Sequence, residues 1–197
     1  AQDLCALGCS KEEAAQILPL LARRDTLAPR LQQWQDEGIF ILTQLSPAYP
    51  AVLRARLHAD APAALFFRGD PAALQSPAIS LVGARDLCAP NQRFAEAVGR
   101  LAASRGCTLV SGTARGADRA AQEACLQAGG QVLSFVPGPL PPARARVLFA
   151  AEDGPFNPFC SRRALARNRL IHSYSSAVFV AQCRDGLGGS WQGAHQN

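Results

Sequence analysis

Residues 111–118 read Ser-Gly-Thr-Ala-Arg-Gly-Ala-Asp. They lie between an apolar run, Thr108-Leu109-Val110, and a helical pattern that ends at Gly129-Gly130. A glycine-broken turn at that junction lets backbone N–H groups face outward at a helix N-terminus, which seats a phosphate. Arg115 adds a fork of donors matched to phosphate oxygens. Ser111, Gly112, Arg115 and Gly116 are therefore candidates for holding a nucleotide or a nucleic acid by its phosphates. Asp118 reads as the cap of the following helix. The spacing is neither the G-x-G-x-x-G of dinucleotide sites nor the Gly-Lys-Ser/Thr ending of a P-loop.

Three other groups share this character. Gly83 and Arg85 follow the apolar run Ile79–Val82, where a charged residue can meet an anion or simply face solvent. Arg162, Arg163, Arg167, Asn168 and Arg169 form a basic cluster. Arg163 and Arg167 are four apart and share a helix face. Asn168 is a weak helix former, which hints at a specific hydrogen bond. A solvated basic face is the plainer account, but Leu165, Leu170 and Ile171 already supply core contacts and leave the arginines for function. In Gly186–Ser190, Gly188 and Gly189 allow close approach and Ser190 can cap a helix, although a flexible turn would read the same.

The elements that must position these residues follow from periodicity. Ser10-Lys11-Glu12-Glu13 is a capping box ahead of an apolar-periodic run through Leu21. A second helix is expected from Pro29 to Glu37, stopping at Gly38. Strands are expected at Ile39–Leu42, Leu65–Phe67, Ile79–Val82, Thr108–Val110, Gln131–Val136, Val147–Ala150 and Ala177–Ala181. Helices are expected at Gln92–Ser104, from the 111–118 loop to Ala128, from Ser161 to about Ser173, and after Ser190. Short apolar strands alternating with helices predict an α/β fold: a mostly parallel sheet with helices on both faces. Ligands bind such sheets at the carboxyl ends of the strands. The loops after Val82, Val110 and Ala181 should then share one rim.

The chain has 197 residues, 48% of them hydrophobic and 18% charged, enough for a real core. Its net charge is +5, which favours an anionic partner. Lys11 is the sole lysine among 20 basic residues. The seven cysteines form no C-x-x-C pair and the three histidines are scattered, so no metal is expected. No apolar run approaches the roughly 20 residues of a membrane span. The N-terminus lacks the layout of a signal peptide, so a cytoplasmic protein without a membrane role is expected. The sequence contains no methionine and stops inside a helical pattern, so a truncated C-terminal end is expected.

Together these residues resemble the DNA-processing protein A (DprA/Smf) family. The run Leu42–Asp70, with Tyr49-Pro50, Ala61-Pro62 and Leu65-Phe66-Phe67-Arg68-Gly69-Asp70, looks like the entry to its domain. Val82-Gly83-Ala84-Arg85 matches its V-G-S-R, Ser111–Asp118 its S-G-x-A-x-G-x-D, and Arg167-Asn168-Arg169-Leu170-Ile171 its R-N-R-x-I. Gly188-Gly189-Ser190 falls where the family has S-G-S. The four motifs occur in order over about 150 residues, a chain length ordinary for one domain.

The resemblance implies a small helical, SAM-like unit over 1–38 and an extended Rossmann-like domain over 39–197. It implies a single-stranded DNA binder that loads RecA during natural transformation, dimerises through the Rossmann domain, and has neither catalytic residues nor cofactor. It also implies that Arg85, Ser111, Gly112, Arg115, Arg167, Asn168 and Arg169 shape the DNA pocket. The chain departs from the pattern at Asp86-Leu87-Cys88-Ala89, at Ala121-Gln122 where the family has Ala-His, and at Trp191-Gln192. The C-terminal winged-helix domain seen in many members is not expected within these 197 residues. Trp191 and Tyr174 are the candidates for base stacking, with core packing as the plainer role for both.

A rival reading is a Rossmann-type nucleotide-ligand sensor or nucleotide-cleaving enzyme. Cleavage would need a glutamate near Gly186–Gly193; Gln192 and Gln196 stand there instead. Asp118 and Asp185 are the acids nearest the loops.

Overall fold

The computed structural model describes residues 2–183. The chain divides into two compact units, one up to Gly38 and one from Ile39 onward.

The first unit holds α1 (Gln2–Ala6), α2 (Lys11–Leu21) and α3 (Arg24–Asp36). The capping box of α2 forms as its sequence requires. The Glu13 N–H donates to Ser10 Oγ (3.1 Å) and the Ser10 N–H to Glu13 Oε2 (2.8 Å). Helix α3 begins five residues before the expected Pro29. A proline removes one donor, but the first turn is already held by Leu27 N–H to Arg23 O, so the helix runs through it.

The second unit is a seven-stranded sheet. Its strands are β1 (Ile39–Thr43), β2 (Ala64–Gly69), β3 (Ala78–Val82), β4 (Thr108–Ser111), β5 (Gln131–Phe135), β6 (Val147–Ala151) and β7 (Ala177–Val180). The spatial order is β1-β2-β6-β5-β4-β3-β7. Strands β3 to β7 are mutually parallel; β2 pairs antiparallel with both β1 and β6. Strands β4 and β6 are buried along their whole length, as inner strands covered on both faces must be.

Helices α5 (Ala89–Ser104) and α6 (Ala117–Gln127) carry the right-handed crossovers from β3 to β4 to β5, which sets both on one face. They pack through Gly99, where a Cβ would lie 2.1 Å from the Ala121 carbonyl oxygen. Helix α5 starts three residues before the expected Gln92, because Pro90 sits in its first turn, where no donor is needed.

Helix α7 (Ser161–Tyr174) connects β6 to β7 in the opposite direction along the sheet, which sets it on the other face. Helix α4 (Ala51–Leu57), absent from the sequence expectations, packs beside α7. Its apolar stripe is too short to show periodicity. The result is the expected α/β, mostly parallel, Rossmann-like sheet with helices on both faces.

Candidate nucleic-acid interface

The parallel order places the ends of β3, β4, β5 and β6 on one rim. Helix α7 brings its N-terminal half to the same rim. Its buried stripe is Arg167, Leu170, Ile171 and Tyr174, one helical face by spacing. Arg167 thus occupies a core position and is 8% exposed. The helix is tied to β3 by Ser80 Oγ, which donates to the Ile171 carbonyl (2.6 Å).

Arg167 lies against the first turn of the β4–α6 loop. A Cβ at Gly112 would sit 1.7 Å from Arg167 Nη1 and 2.6 Å from Asp118 Oδ2, so glycine is what admits the guanidinium. Nε and Nη1 of Arg167 are buried with no hydrogen-bond partner among the described residues. Burial weakens the arginine's hold on its proton, and nearby Asp118 strengthens it. Arg85 extends from the β3 loop, exposed, into the same cavity of ≈ 250 Å³. Gly83, Ala114, Asp118, Ser161 and Asn168 also line it. Arg85 and Arg167 also share an adjoining cleft of ≈ 550 Å³ walled by Arg115, Pro137, Pro139 and Phe159.

Asp118 is not the helix cap that its position implies. Gly116 is the N-cap residue of α6, and the Asp118 carboxylate reaches back to accept the N–H groups of Ala114 (3.3 Å) and Gly112. Two donors of the expected phosphate seat therefore point inward at a carboxylate. Burial pushes the Asp118 carboxyl up to about 6, against the pull of Arg167, those two N–H groups and Arg85. The loop is also fastened to its neighbour: Ala117 N–H donates to Ala84 O (3.1 Å). Gly116, at φ +81°, passes so close to Arg85 and Ala84 that a Cβ would lie 2.3 Å from the Arg85 carbonyl oxygen.

Ser111 faces the interior, fully buried. Its Oγ accepts from Gln122 Nε2 (2.6 Å), which also donates to Ser134 Oγ (3.2 Å) and to the Gly112 carbonyl. Gln122, at the place of the family's histidine, is the bolt that joins α6 to the ends of β4 and β5. Ser111 is thus turned inward, where its hydroxyl serves the loop.

Three other candidate arginines, Arg115, Arg163 and Arg169, are paired. Arg115 Nη2 lies 3.0 Å from Asp86 Oδ1, both largely exposed. Arg163 Nε lies 2.8 Å from Asp153 Oδ2, and its Nη1 donates to the Pro158 carbonyl (2.7 Å). Arg169 Nη2 donates to Glu152 Oε1, while its Nη1 is buried without a partner among the described residues. Burial raises the Glu152 carboxyl above its ordinary range, opposed by Arg169. These two pairs, with Arg162 and Arg167, line a further cleft of ≈ 490 Å³. Glu152 and Asp153 were not among the acids expected near the loops. They follow β6, and only the sheet order places that strand's end beside α7.

Leu165 is exposed rather than in the core, because the 167-170-171-174 stripe faces the sheet. Tyr174 is buried and meets Phe135 edge-on at 5.9 Å, a packing role. Gly188, Gly189, Ser190 and Trp191 lie outside the described residues. Among the described residues, no three His, Cys, Asp or Glu side chains gather as a metal site. No described helix is long and apolar enough to cross a membrane.

The molecule is thus a Rossmann-like α/β protein with a basic cleft at the carboxyl ends of its parallel strands. The family model of DNA recombination-mediator protein A matches residues 40–196, and the chain belongs to that family. It is 31% identical over 137 residues to DNA processing protein DprA of Streptococcus pneumoniae, 64% of this chain and 48% of that protein. It is 32% identical over 150 residues to protein Smf of Escherichia coli, 70% of this chain and 40% of that protein. The chain therefore spans less than half the length of these relatives. Among solved structures, DprA of S. pneumoniae superposes with a TM-score of 0.78 at 25% identity, covering 96% of this chain and 68% of that one. A DprA from Helicobacter pylori, described for its single-stranded DNA binding mode, shares the fold at TM-score 0.64 and 24% identity, covering 80% of this chain and 74% of that one.

Proposed function

We propose that this protein binds single-stranded DNA as a non-catalytic recombination mediator, with Arg167 and Arg85 at the centre of the grip. The carrying observation is Arg167, a cation 8% exposed whose Nε and Nη1 have no partner among the described residues. Burying a cation with two unsatisfied donors is costly even with Asp118 nearby, so its retention at the ligand rim of a parallel sheet supports an anionic ligand. Gly83, Gly112 and Gly116 let the loops close around that point. Arg115, Arg163, Asn168 and Arg169 stand at its margins, and Ser111 braces the loop from within.

Family membership supports DNA as the anion, as does the single-stranded DNA binding described for the H. pylori relative. Phosphate contact by arginines gives salt-sensitive affinity with little sequence preference. Delivery of the strand to RecA, a homodimer formed through the Rossmann domain, a cytoplasmic location and a part in natural transformation complete the reading. They rest on the family resemblance.

The test is fluorescence anisotropy of a labelled oligo-dT strand against its duplex at two salt concentrations. Tight single-strand binding that weakens with salt and falls with Arg85→Ala is expected. No strand binding at low salt would overturn the reading.

A further inference from the structure

The β4–α6 loop already holds an anion, and that anion is its own. The Asp118 carboxylate accepts the N–H groups of Gly112 and Ala114, the donors that a glycine-broken turn would offer to a phosphate. Asp118 is buried and lines the same cavity as Arg85 and Arg167. Its Oδ2 and Arg167 Nη1 crowd one point, 2.6 Å and 1.7 Å from where a Gly112 Cβ would stand. Yet Nε and Nη1 of Arg167 form no hydrogen bond among the described residues. The carboxylate therefore offsets the cation by proximity and leaves two of its donors unused. Among the described residues, the titratable groups lining that cavity are Arg85 from the β3 loop, Arg167 from α7 and Asp118 itself.

A phosphate entering between the two arginines brings a negative charge against a buried carboxylate. Like charges at contact in a poorly solvated site do not both stay ionised. Protonation resolves the conflict, since burial already pushes the Asp118 carboxyl up to about 6. A neutral Asp118 leaves Arg85 and Arg167 to the phosphate.

We infer that Asp118 is an internal counter-anion of the strand-binding site, and that strand binding is coupled to the uptake of one proton from solvent by its carboxyl. This rests on the single-strand reading and deepens it. The free carboxyl titrates at about 6 and the strand-bound one higher, so affinity is full below pH 6 and falls as pH rises above it. Arginines keep their charge across this range. Histidines titrate within it, but they remain when Asp118 is replaced.

The experiment is anisotropy of labelled oligo-dT at constant ionic strength, on the parent and on Asp118→Asn. Between about pH 5.5 and pH 7.5 the parent should lose about ten-fold in affinity. Asp118→Asn should change by less than about two-fold and should bind more tightly than the parent at the higher pH. Calorimetric titration of the parent at pH 7, in two buffers of different ionisation enthalpy, should show uptake of about one proton per bound site. A pH dependence that Asp118→Asn retains, or binding without proton uptake, would overturn the inference and leave strand binding intact. No strand binding at either pH would overturn the single-strand reading and this inference with it.

Discussion

Two arginine clusters meet at the rim, and they differ in what stands beside them. At the β3–β4 side, Arg85 and Arg167 approach the Asp118 carboxylate, whose hydrogen-bond donors are the backbone N–H groups of Gly112 and Ala114. At the β6 side, Arg163 and Arg169 each contact an acid directly. The strands end at the same level, and the arginines all come from α7 or a loop facing it. The difference arises because β6 is followed by Glu152-Asp153, whereas β3 is followed by glycine. Counting basic residues along the chain treats the two sides alike. The fold pairs Arg163 and Arg169 one to one with acids and sets two arginines, Arg85 and Arg167, around the single Asp118, and a ligand phosphate should follow that excess of positive charge.

Arg167→Met should sharpen the contrast most. It removes the buried cation and keeps an apolar stem, so strand affinity should fall by about 30-fold or more. Thermal stability should hold, since the burial cost of the cation is removed while Asp118, left without it, takes up a proton. Anisotropy and a melting curve read the two effects. Had Arg167 been a structural ion pair, both would fall together.

Asp118→Asn probes the floor of the charged side through pH. The folded carboxyl titrates at about 6, above its ordinary 3.8. The native state therefore holds a proton between those values that the unfolded chain has released. The stability this contributes is full below about pH 4 and is lost as pH rises through 6. Asn does not titrate, so the variant should gain on the parent by on the order of 2–3 kcal/mol between pH 4 and 7. Denaturant melts across that range check the slope, and a parallel pair of curves would contradict the burial of this carboxyl.

Glu152→Gln works on the neutralised side. Freeing Arg169 should raise strand affinity two- to five-fold, about 0.5–1 kcal/mol for a pair exposed by 32% and 26%. Arg163→Ala should be the smallest effect, under about two-fold, because Asp153 and the Pro158 carbonyl already occupy its donors.

Much of this was legible in the chain. The parallel sheet followed from apolar runs alternating with helical stretches, and the motif loops were expected on one rim for that reason. Arg167 carried its own signal: it is in helical register with Leu170, Ile171 and Tyr174, a charge on the core stripe. Other features needed three dimensions. Asp118 looked like a cap because it follows a glycine at a helix start, yet the loop curls back to satisfy it. Ser111 looked like a ligand contact, but strand alternation turns it inward to Gln122. Glu152 and Asp153 showed no link to the site, because sheet order and not chain order makes them neighbours of α7.

The most direct measurement sets Arg167→Met beside Arg163→Ala in one anisotropy titration with single-stranded oligo-dT at low salt. Arg167→Met is expected to lose most of the affinity and Arg163→Ala to keep nearly all of it. Equal losses, or a larger one at Arg163, would contradict the claim that the unpaired cleft holds the strand.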